Sequence, residues 1–219
     1  MKRHMMAAGL PLFLALALGA QQTGQTAASS NAGPGGFIVG SNTSGAVMNG
    51  QPLLPGTAVL PGENVTTISG GTATLVSTGE NGGVVQLGQQ TQTTVVTNSA
   101  GPQVNLIQGA VQTQGTVPVE TCTSMVTPQN SETIVTVSAQ GCQQSGVQQV
   151  SGNSSVKSLG SAGAGSATAG SASQASLHAG QAVQVTSSSI QYVATSSNAN
   201  SQFPAPSTTT SEQTNSQSH

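Results

Sequence analysis

Residues 56–96, GTAVLPGENVTTISGGTATLVSTGENGGVVQLGQQTQTTVV, decide the fold class of this chain. Residues 80–83 (ENGG) are a hairpin signal, because Asn and Gly accept the positive φ that tight turns require. Before this turn Ala73 and Leu75 alternate with threonines, which is the pattern of a half-buried strand. After the turn, residues 84–87 (VVQL) supply the second strand of the hairpin. Turns at this density leave no room for helices.

The same pattern continues downstream of this stretch. Apolar patches of a few residues recur between Gly, Pro and Asn, and residues 133–137 (TIVTV) form a good strand after the polar turn at residues 128–131 (PQNS). Short strands at such spacing favour a β-barrel, a β-sandwich or a short β-solenoid. The sequence therefore predicts an all-β fold.

The first twenty residues predict an export signal. Lys2 and Arg3 precede an apolar run, and small residues follow it. The run is about 15 residues long, short for a bilayer span of roughly 20 residues, so cleavage is favoured over an uncleaved anchor. Because no cysteine follows Ala20, lipid attachment is not expected. We expect a periplasmic, secreted or cell-surface bacterial protein with no stable membrane span after cleavage.

The polar parts of the chain are predicted to lie outside the folded core. Residues 21–51 are interpreted as a flexible leader, residues 52–192 as the all-β domain and residues 193–219 as a disordered Ser/Thr/Gln-rich tail. Residues 160–173 (GSAGAGSATAGSAS) are a low-complexity insertion that could bridge a hairpin or separate two domains, and the insertion is preferred. Residues 37–39 (FIV) in the leader could form an edge strand or stay exposed.

Charge is almost absent, and this excludes several partners. Once the signal is removed, five glutamates and one lysine, Lys157, leave a net charge of −4. A nucleic-acid partner held by phosphate neutralisation is therefore not expected, and neither is a polybasic membrane contact. The partner we expect is a protein or a component of the cell envelope.

Two cysteines lie in the part expected to be exported. An even count in an oxidising compartment predicts a disulfide between Cys122 and Cys142, tying the two sides of a hairpin together. Free or metal-binding thiols are the alternative. No Cys-x-x-Cys spacing and no nearby histidine supports that alternative.

Catalytic templates are hard to assemble from this composition. The exported part has no aspartate, no arginine and two histidines, His178 and His219. Glu63 and Glu80 are the one candidate acid/base pair, and both occupy predicted turns. His178 lies in a strand-entry turn. We therefore predict a non-enzymatic protein with no catalytic residue, no metal site and no cofactor.

Two segments resemble the FecR-type domain of bacterial envelope proteins. In the first segment, residues 60–67 (LPGENVTT) are similar to the opening turn and strand of that family, and residues 73–75 (ATL) and 83–88 (GVVQLG) follow as its paired strands about a turn. Residues 177–185 (LHAGQAVQV) resemble its closing turn and strand. The central turn departs from the family, which usually has Asp-Gly where this chain has residues 80–83. The resemblance implies a short-stranded FecR-like β-solenoid or β-sandwich outside the inner membrane, and no catalytic residue.

These observations lead to two hypotheses for function. The first is an exported FecR-like module that acts as a binding or scaffold domain in the periplasm or cell envelope. The alternative is a structural secreted protein, an adhesin or matrix component, in which the insertion and tail are the working parts. In the first hypothesis, residues 56–96 cannot bury their own apolar face and we expect residues 177–185 to cover it.

Overall fold

The computed structural model describes residues 35–79, 82–138, 142–160 and 173–195, and these residues form an all-β fold. The predicted fold class is confirmed. The strands are β1 Phe37–Val39, β2 Ser44–Met48, β3 Gln51–Pro52, β4 Ala58–Val59, β5 Asn64–Ser77, β6 Gly83–Leu87, β7 Gln92–Asn98, β8 Gly101–Gly115, β9 Val119–Glu120, β10 Ser124–Val137, β11 Gln144–Ser158, β12 Gln174–His178, β13 Ala182–Thr186 and β14 Ile190–Val193.

Four long strands, β5, β8, β10 and β11, divide this fold into two sheets. Each has 14 or 15 residues and changes pairing partners near its middle. A residue with positive φ marks the change in each strand: Gly70 at 74°, Gly109 at 93°, Asn130 at 50° and Gly152 at 73°. Gly and Asn tolerate this conformation, which redirects an extended chain. Each long strand thus contributes one half to each sheet.

The order of strands differs between the two sheets. Sheet 1 runs β4, β1, second half of β5, β6, second half of β8, second half of β10, first half of β11, β13, β14. Sheet 2 runs β3, β2, first half of β5, β7, first half of β8, β9, first half of β10, second half of β11, β12. Among these pairings, β8–β9 is parallel and the others are antiparallel.

The inward faces of both sheets build one hydrophobic cluster. In sheet 1 a buried ladder crosses neighbouring strands through Leu87, Val111, Val135, Val147 and Val183. In sheet 2 the matching ladder is Val95, Val104, Val119, Val126 and Val156. Burying a side chain of this size contributes roughly 1.5–3 kcal/mol. Two sheets over one core make a β-sandwich, one of the two architectures expected from the FecR-like resemblance.

The start of the described chain corrects the predicted leader. Residues 37–39 form β1, which pairs with both β4 and β5, so this triplet is an interior strand of sheet 1. Phe37 is fully buried. Ser44–Met48 then joins sheet 2 as β2. Residues 37–48 therefore belong to the sandwich. Phe37, Val39 and Ala46 are buried against strands that lie further along the chain, and the polar composition of the surrounding residues does not reveal this packing.

The predicted hairpin at residues 80–83 is confirmed by the pairing of its arms, although residues 80 and 81 lie outside the described ranges. β5 and β6 are antiparallel, with Val76 opposite Val84. The insertion at residues 160–173 connects β11 to β12, which are also antiparallel, with Lys157 opposite Gln174. The insertion therefore bridges the arms of a hairpin, as preferred from the sequence. Residues 161–172 themselves lie outside the described chain.

Two sequence expectations about pairing are wrong. Residues 177–185 do not cover residues 56–96, since β12 and β13 pair with β11 at the far end of the sandwich from β5. The first half of β11 pairs with β13 in sheet 1, and its second half pairs with β12 in sheet 2, so β11 occupies the position that the sequence predicts for β5. The polar run at residues 128–131 is not a hairpin turn either. It lies inside β10, where Asn130 redirects the strand from sheet 2 to sheet 1.

The predicted export signal at residues 1–20, the rest of the predicted leader up to residue 34 and the tail from residue 196 lie outside the described ranges. Within those ranges no helix could cross a bilayer.

Candidate binding surfaces

Two of the described glutamates accept hydrogen bonds from side-chain amides on the strands. Glu120 Oε2 on β9 lies 2.6 Å from Gln103 Nε2 on β8. Glu132 on β10 accepts a hydrogen bond from the Gln112 amide, also on β8. The two carboxylates lie on different strands, and each is held by its own neighbour.

Of the candidate pair Glu63 and Glu80, Glu63 lies in the part of the chain that the structure describes. Glu63 Oε2 accepts a hydrogen bond of 2.5 Å from the backbone N–H of Leu60, three residues earlier. This contact places Glu63 in a structural role within its turn. Glu80 lies outside the described residues.

His178 ends β12 at an exposed position. Its Nδ1 is 2.7 Å from Asn153 Oδ1 on β11, and its backbone N–H donates to Gln181 Oε1 at 2.8 Å. In the part of the chain that the structure describes, no three His, Cys, Asp or Glu side chains gather as a metal site would require. His219 lies outside the described residues.

The predicted disulfide between Cys122 and Cys142 is present, with a Cα–Cα distance of 5.7 Å. Cys122 adjoins the start of β10 in sheet 2, and Cys142 adjoins the start of β11 in sheet 1. Both positions lie at the margin of the sandwich opposite the bends at Asn130 and Gly152. The crosslink therefore ties one sheet to the other rather than the arms of a simple hairpin.

A buried hydroxyl cluster lies beside this disulfide. Ser145 Oγ is 2.8 Å from Thr123 Oγ1 and 2.8 Å from Ser124 Oγ, and Thr121 Oγ1 is 2.9 Å from Ser124 Oγ. All four residues are buried. Ser124 pairs in sheet 2 and Ser145 in sheet 1, so the cluster joins the sheets at the same margin. Mutual hydrogen bonding offsets the cost of burying these polar groups.

The two segments that resemble FecR-type domains contain the same turn. In residues 60–63 and in residues 178–181, the fourth residue donates its backbone N–H to the first carbonyl, at 3.1 Å and 3.0 Å. The third residue is a glycine of positive φ in both, Gly62 at 92° and Gly180 at 81°. In both the side chain of the fourth residue, Glu63 or Gln181, accepts the N–H of the first.

Each of these turns also docks on a neighbouring strand in the same way. Gly62 N–H donates to the Val95 carbonyl at 2.8 Å, and Val95 N–H donates back to the Glu63 carbonyl at 3.0 Å. At the second turn, Gly180 and Gln181 exchange the matching pair of bonds with Gln149, at 2.9 Å and 2.8 Å. The turns connect β4 to β5 and β12 to β13, so each carries the chain from one sheet to the other.

A groove of about 620 Å³ opens beside the β7–β8 hairpin. Residues 97–102 form one side, and Gly79, Pro118 and Pro128 contribute from other connections and strands. The residues that line the groove carry no charge. The lining of the groove comes from segments that are distant in sequence, so no local pattern predicts it; the prolines at positions 102, 118 and 128 are its sequence signal.

The C-terminal end of the sandwich has two outer strands, β12 in sheet 2 and β14 in sheet 1. In the β13–β14 hairpin, the Thr186 N–H donates to the Ser189 carbonyl at 2.9 Å. This bond shows which residues of β14 are hydrogen-bonded to β13. In an antiparallel ladder the bonded residues alternate, so Gln191 and Val193 face β13. The backbone N–H and C=O of Ile190 and Tyr192 therefore point outward, away from the sheet.

Some of the outward backbone groups of β12 have partners from the same chain. The bond from Ser158 N–H to the Ser173 carbonyl, 2.9 Å, phases the β11–β12 ladder so that Ser176 and His178 face outward. The Ser176 carbonyl accepts the Tyr192 hydroxyl at 3.3 Å, and the His178 N–H donates to the Gln181 side chain. This edge is thus partly covered by the protein itself.

The outer strands at the N-terminal end, β3 and β4, are two residues long. Pro52 lies in β3, and Pro55 and Pro61 lie on either side of β4. Short strands and prolines are devices that prevent an edge from pairing with another chain.

No family model matches the chain, and no curated protein matches it in sequence. Among solved structures it is similar to two crystal structures, at 1.65 Å and 2.50 Å resolution, of a "putative anti-sigma factor" from Parabacteroides distasonis ATCC 8503. In both comparisons the identity is 14% and the TM-score 0.44, and the aligned region covers 60% of this chain and 59% of the other. The chain thus spans less than two thirds of the structures it matches.

Proposed function

We propose that this protein is a non-enzymatic binding or scaffold module of FecR-like type, exported to the bacterial periplasm or cell envelope, and that its partner is another protein. The observation that carries the proposal is the placement of the glutamates Glu63, Glu120 and Glu132. Each accepts a hydrogen bond from a neighbouring amide, and they lie in a turn and on two separate strands. A general acid and base must share a site, whereas a binding module needs only surface and shape.

Two further observations support the FecR-like and exported parts of the proposal. The segments that resemble the family share one turn geometry, with the same docking bonds, although they lie more than a hundred residues apart. The disulfide between Cys122 and Cys142 fits an oxidising compartment. The uncharged groove beside the β7–β8 hairpin is a concave surface that a partner could occupy.

A photo-crosslinking experiment in the envelope of the source bacterium tests the proposal. A photoreactive phenylalanine analogue replaces Ser99, which lines the groove, and in a matched control it replaces Ile68, an exposed residue of β5. We expect a discrete adduct with a second protein at position 99 and not at position 68. Recovery of the protein in the cytoplasmic fraction with its first twenty residues retained would contradict export, and equal labelling at both positions would contradict a specific binding surface.

Elastase digestion tests the structural-protein alternative, because this protease cleaves after small residues. The module predicts a protected core that contains residues 37–193, with cleavage between residues 160 and 173. A structural role for the insertion and tail predicts instead that resistance extends through residues 196–219 and that fibres form.

A further inference from the structure

We infer that the β14 edge pairs with β14 of a second copy of this chain, which joins the two copies through one continuous sheet 1. The inference goes beyond the proposed function and does not depend on it. It rests on three features of the described residues: the free backbone groups of β14, the absence of protection at this edge and the self-complementarity of its sequence.

The free backbone groups are those of Ile190 and Tyr192. The phase of the β13–β14 ladder leaves their N–H and C=O directed away from the sheet. An extended backbone segment alongside β14 would satisfy these groups, and an antiparallel strand has the matching spacing.

The other outer strands are shortened, flanked by prolines or partly bonded within the chain, whereas β14 has none of these features among the described residues. β3 and β4 are two residues long and adjoin prolines. β12 has its outward Ser176 carbonyl and His178 N–H bonded within the chain. From residue 189 to residue 195 the sequence SIQYVAT contains no proline and no charge. Tyr192 and Val193 are 60% and 43% exposed.

A second copy is the occupant that the sequence of β14 fits. When two β14 strands run antiparallel about Tyr192, Tyr192 faces its own equivalent and Ile190 faces Ala194 of the other copy. Ile190 and Tyr192 have their N–H and C=O directed to the free edge, so the two facing Tyr192 residues can exchange backbone hydrogen bonds. The register also brings two exposed aromatic rings together, and a cross-strand aromatic pair stabilises a sheet. The contact is isologous, which closes a dimer and leaves no further edge to extend it.

Sedimentation velocity of the purified protein over a wide concentration range is the first test. We expect a reversible monomer–dimer equilibrium. A wild-type protein that stays monomeric up to the highest soluble concentration overturns the inference, and so does growth into larger species without a dimer plateau.

Charge reversal at Tyr192 tests the register. Because Tyr192 faces its own equivalent, Tyr192→Lys and Tyr192→Glu each place like charges opposite one another, and each should weaken self-association at least about tenfold. An equimolar mixture of the two variants places opposite charges together and should recover association. The side chain is mostly exposed, so both variants should keep the wild-type circular dichroism and disulfide.

The matched control is Ile68→Lys, which adds the same charge at an exposed residue of β5. It should leave the dissociation constant within about twofold of wild type. If the mixture of folded Tyr192 variants fails to associate, or if Ile68→Lys weakens the dimer as much as Tyr192→Lys, the β14 register is wrong. If the wild-type dimer persists undiminished in both Tyr192 variants, the interface lies elsewhere.

Discussion

The two ends of the sandwich contain similar turns but different outer strands. At the N-terminal end β3 and β4 are two residues long and adjoin Pro52, Pro55 and Pro61. At the C-terminal end β14 is longer and uncharged, and its outward backbone groups have no partner among the described residues. Because a free strand edge can pair with another chain, an end that leaves one unprotected is the end to examine for association.

The difference between the ends does not extend to their connections. Residues 60–63 and 178–181 have one geometry and dock on their neighbouring strands with the same pair of bonds. Stability at both ends should therefore depend on the same local features, while association should depend on the C-terminal end alone.

The largest effect is expected from Leu177→Ala in β12. Leu177 is fully buried although it lies on an outer strand, so truncation should leave a cavity and lower the free energy of unfolding by about 2–5 kcal/mol. At the N-terminal end Leu54 is 52% exposed, and Leu54→Ala should change the free energy of unfolding by less than about 0.5 kcal/mol. Urea unfolding measures both. Equal losses would show that the C-terminal outer strand is no better packed than the exposed turn.

Removing the disulfide should have the next largest effect. Cys122 and Cys142 are 20 residues apart in sequence, and a crosslink that closes a loop of this size contributes roughly 3 kcal/mol. The Cys122→Ser/Cys142→Ser double variant should therefore unfold at a lower urea concentration. Its free energy of unfolding should also fall more steeply with urea, because the unfolded state without the crosslink is more expanded. A midpoint equal to that of the oxidised protein would contradict a role in joining the sheets.

The two turn glycines should respond alike. Gly62 and Gly180 have positive φ and open space where a Cβ would lie, so Gly62→Ala and Gly180→Ala should each cost about 1–2 kcal/mol from backbone strain alone. Gly160 also has open space but no positive φ, and Gly160→Ala should be close to neutral. Thermal unfolding compares the stability of the three variants with that of the wild type. A large difference between Gly62→Ala and Gly180→Ala would break the equivalence of the two turns.

The smallest effect is expected from the side chains that close these turns. Glu63→Ala and Gln181→Ala each remove one hydrogen bond to a backbone N–H, worth about 0.5–1.5 kcal/mol. Glu63→Gln keeps an acceptor at the same position and should recover most of the loss. If Glu63→Gln is as destabilised as Glu63→Ala, the carboxylate has a role other than closing the turn.

The sequence predicts those parts of the fold that depend on local chemistry. The β5–β6 hairpin follows from the Gly-rich turn at residues 80–83, and Cys122 and Cys142 were the one pair available for a disulfide. The four bends were not predicted. Gly70 and Asn130 resemble turn residues between separate strands, whereas in the structure the chain stays extended on both sides of them.

Long-range pairing also could not be predicted. The alternation in residues 182–186 shows that one face is buried, but it does not show which strand lies beside it, and the neighbour is β11 rather than β5. For the same reason the groove beside the β7–β8 hairpin and the free edge of β14 appear only once the strands are assembled. The groove depends on which distant segments come together, and the free edge depends on which backbone groups remain unpaired; both are properties of the assembled sheets.

Amide hydrogen exchange along β14, followed by NMR at low and high protein concentration, tests the central claim most directly. In dilute protein the N–H groups of Gln191 and Val193 should be protected and those of Ile190 and Tyr192 should exchange quickly, because only the first two face β13. At high concentration Ile190 and Tyr192 should become protected while the Ile68 N–H is unchanged. Fast exchange of Ile190 and Tyr192 at every concentration would contradict the account.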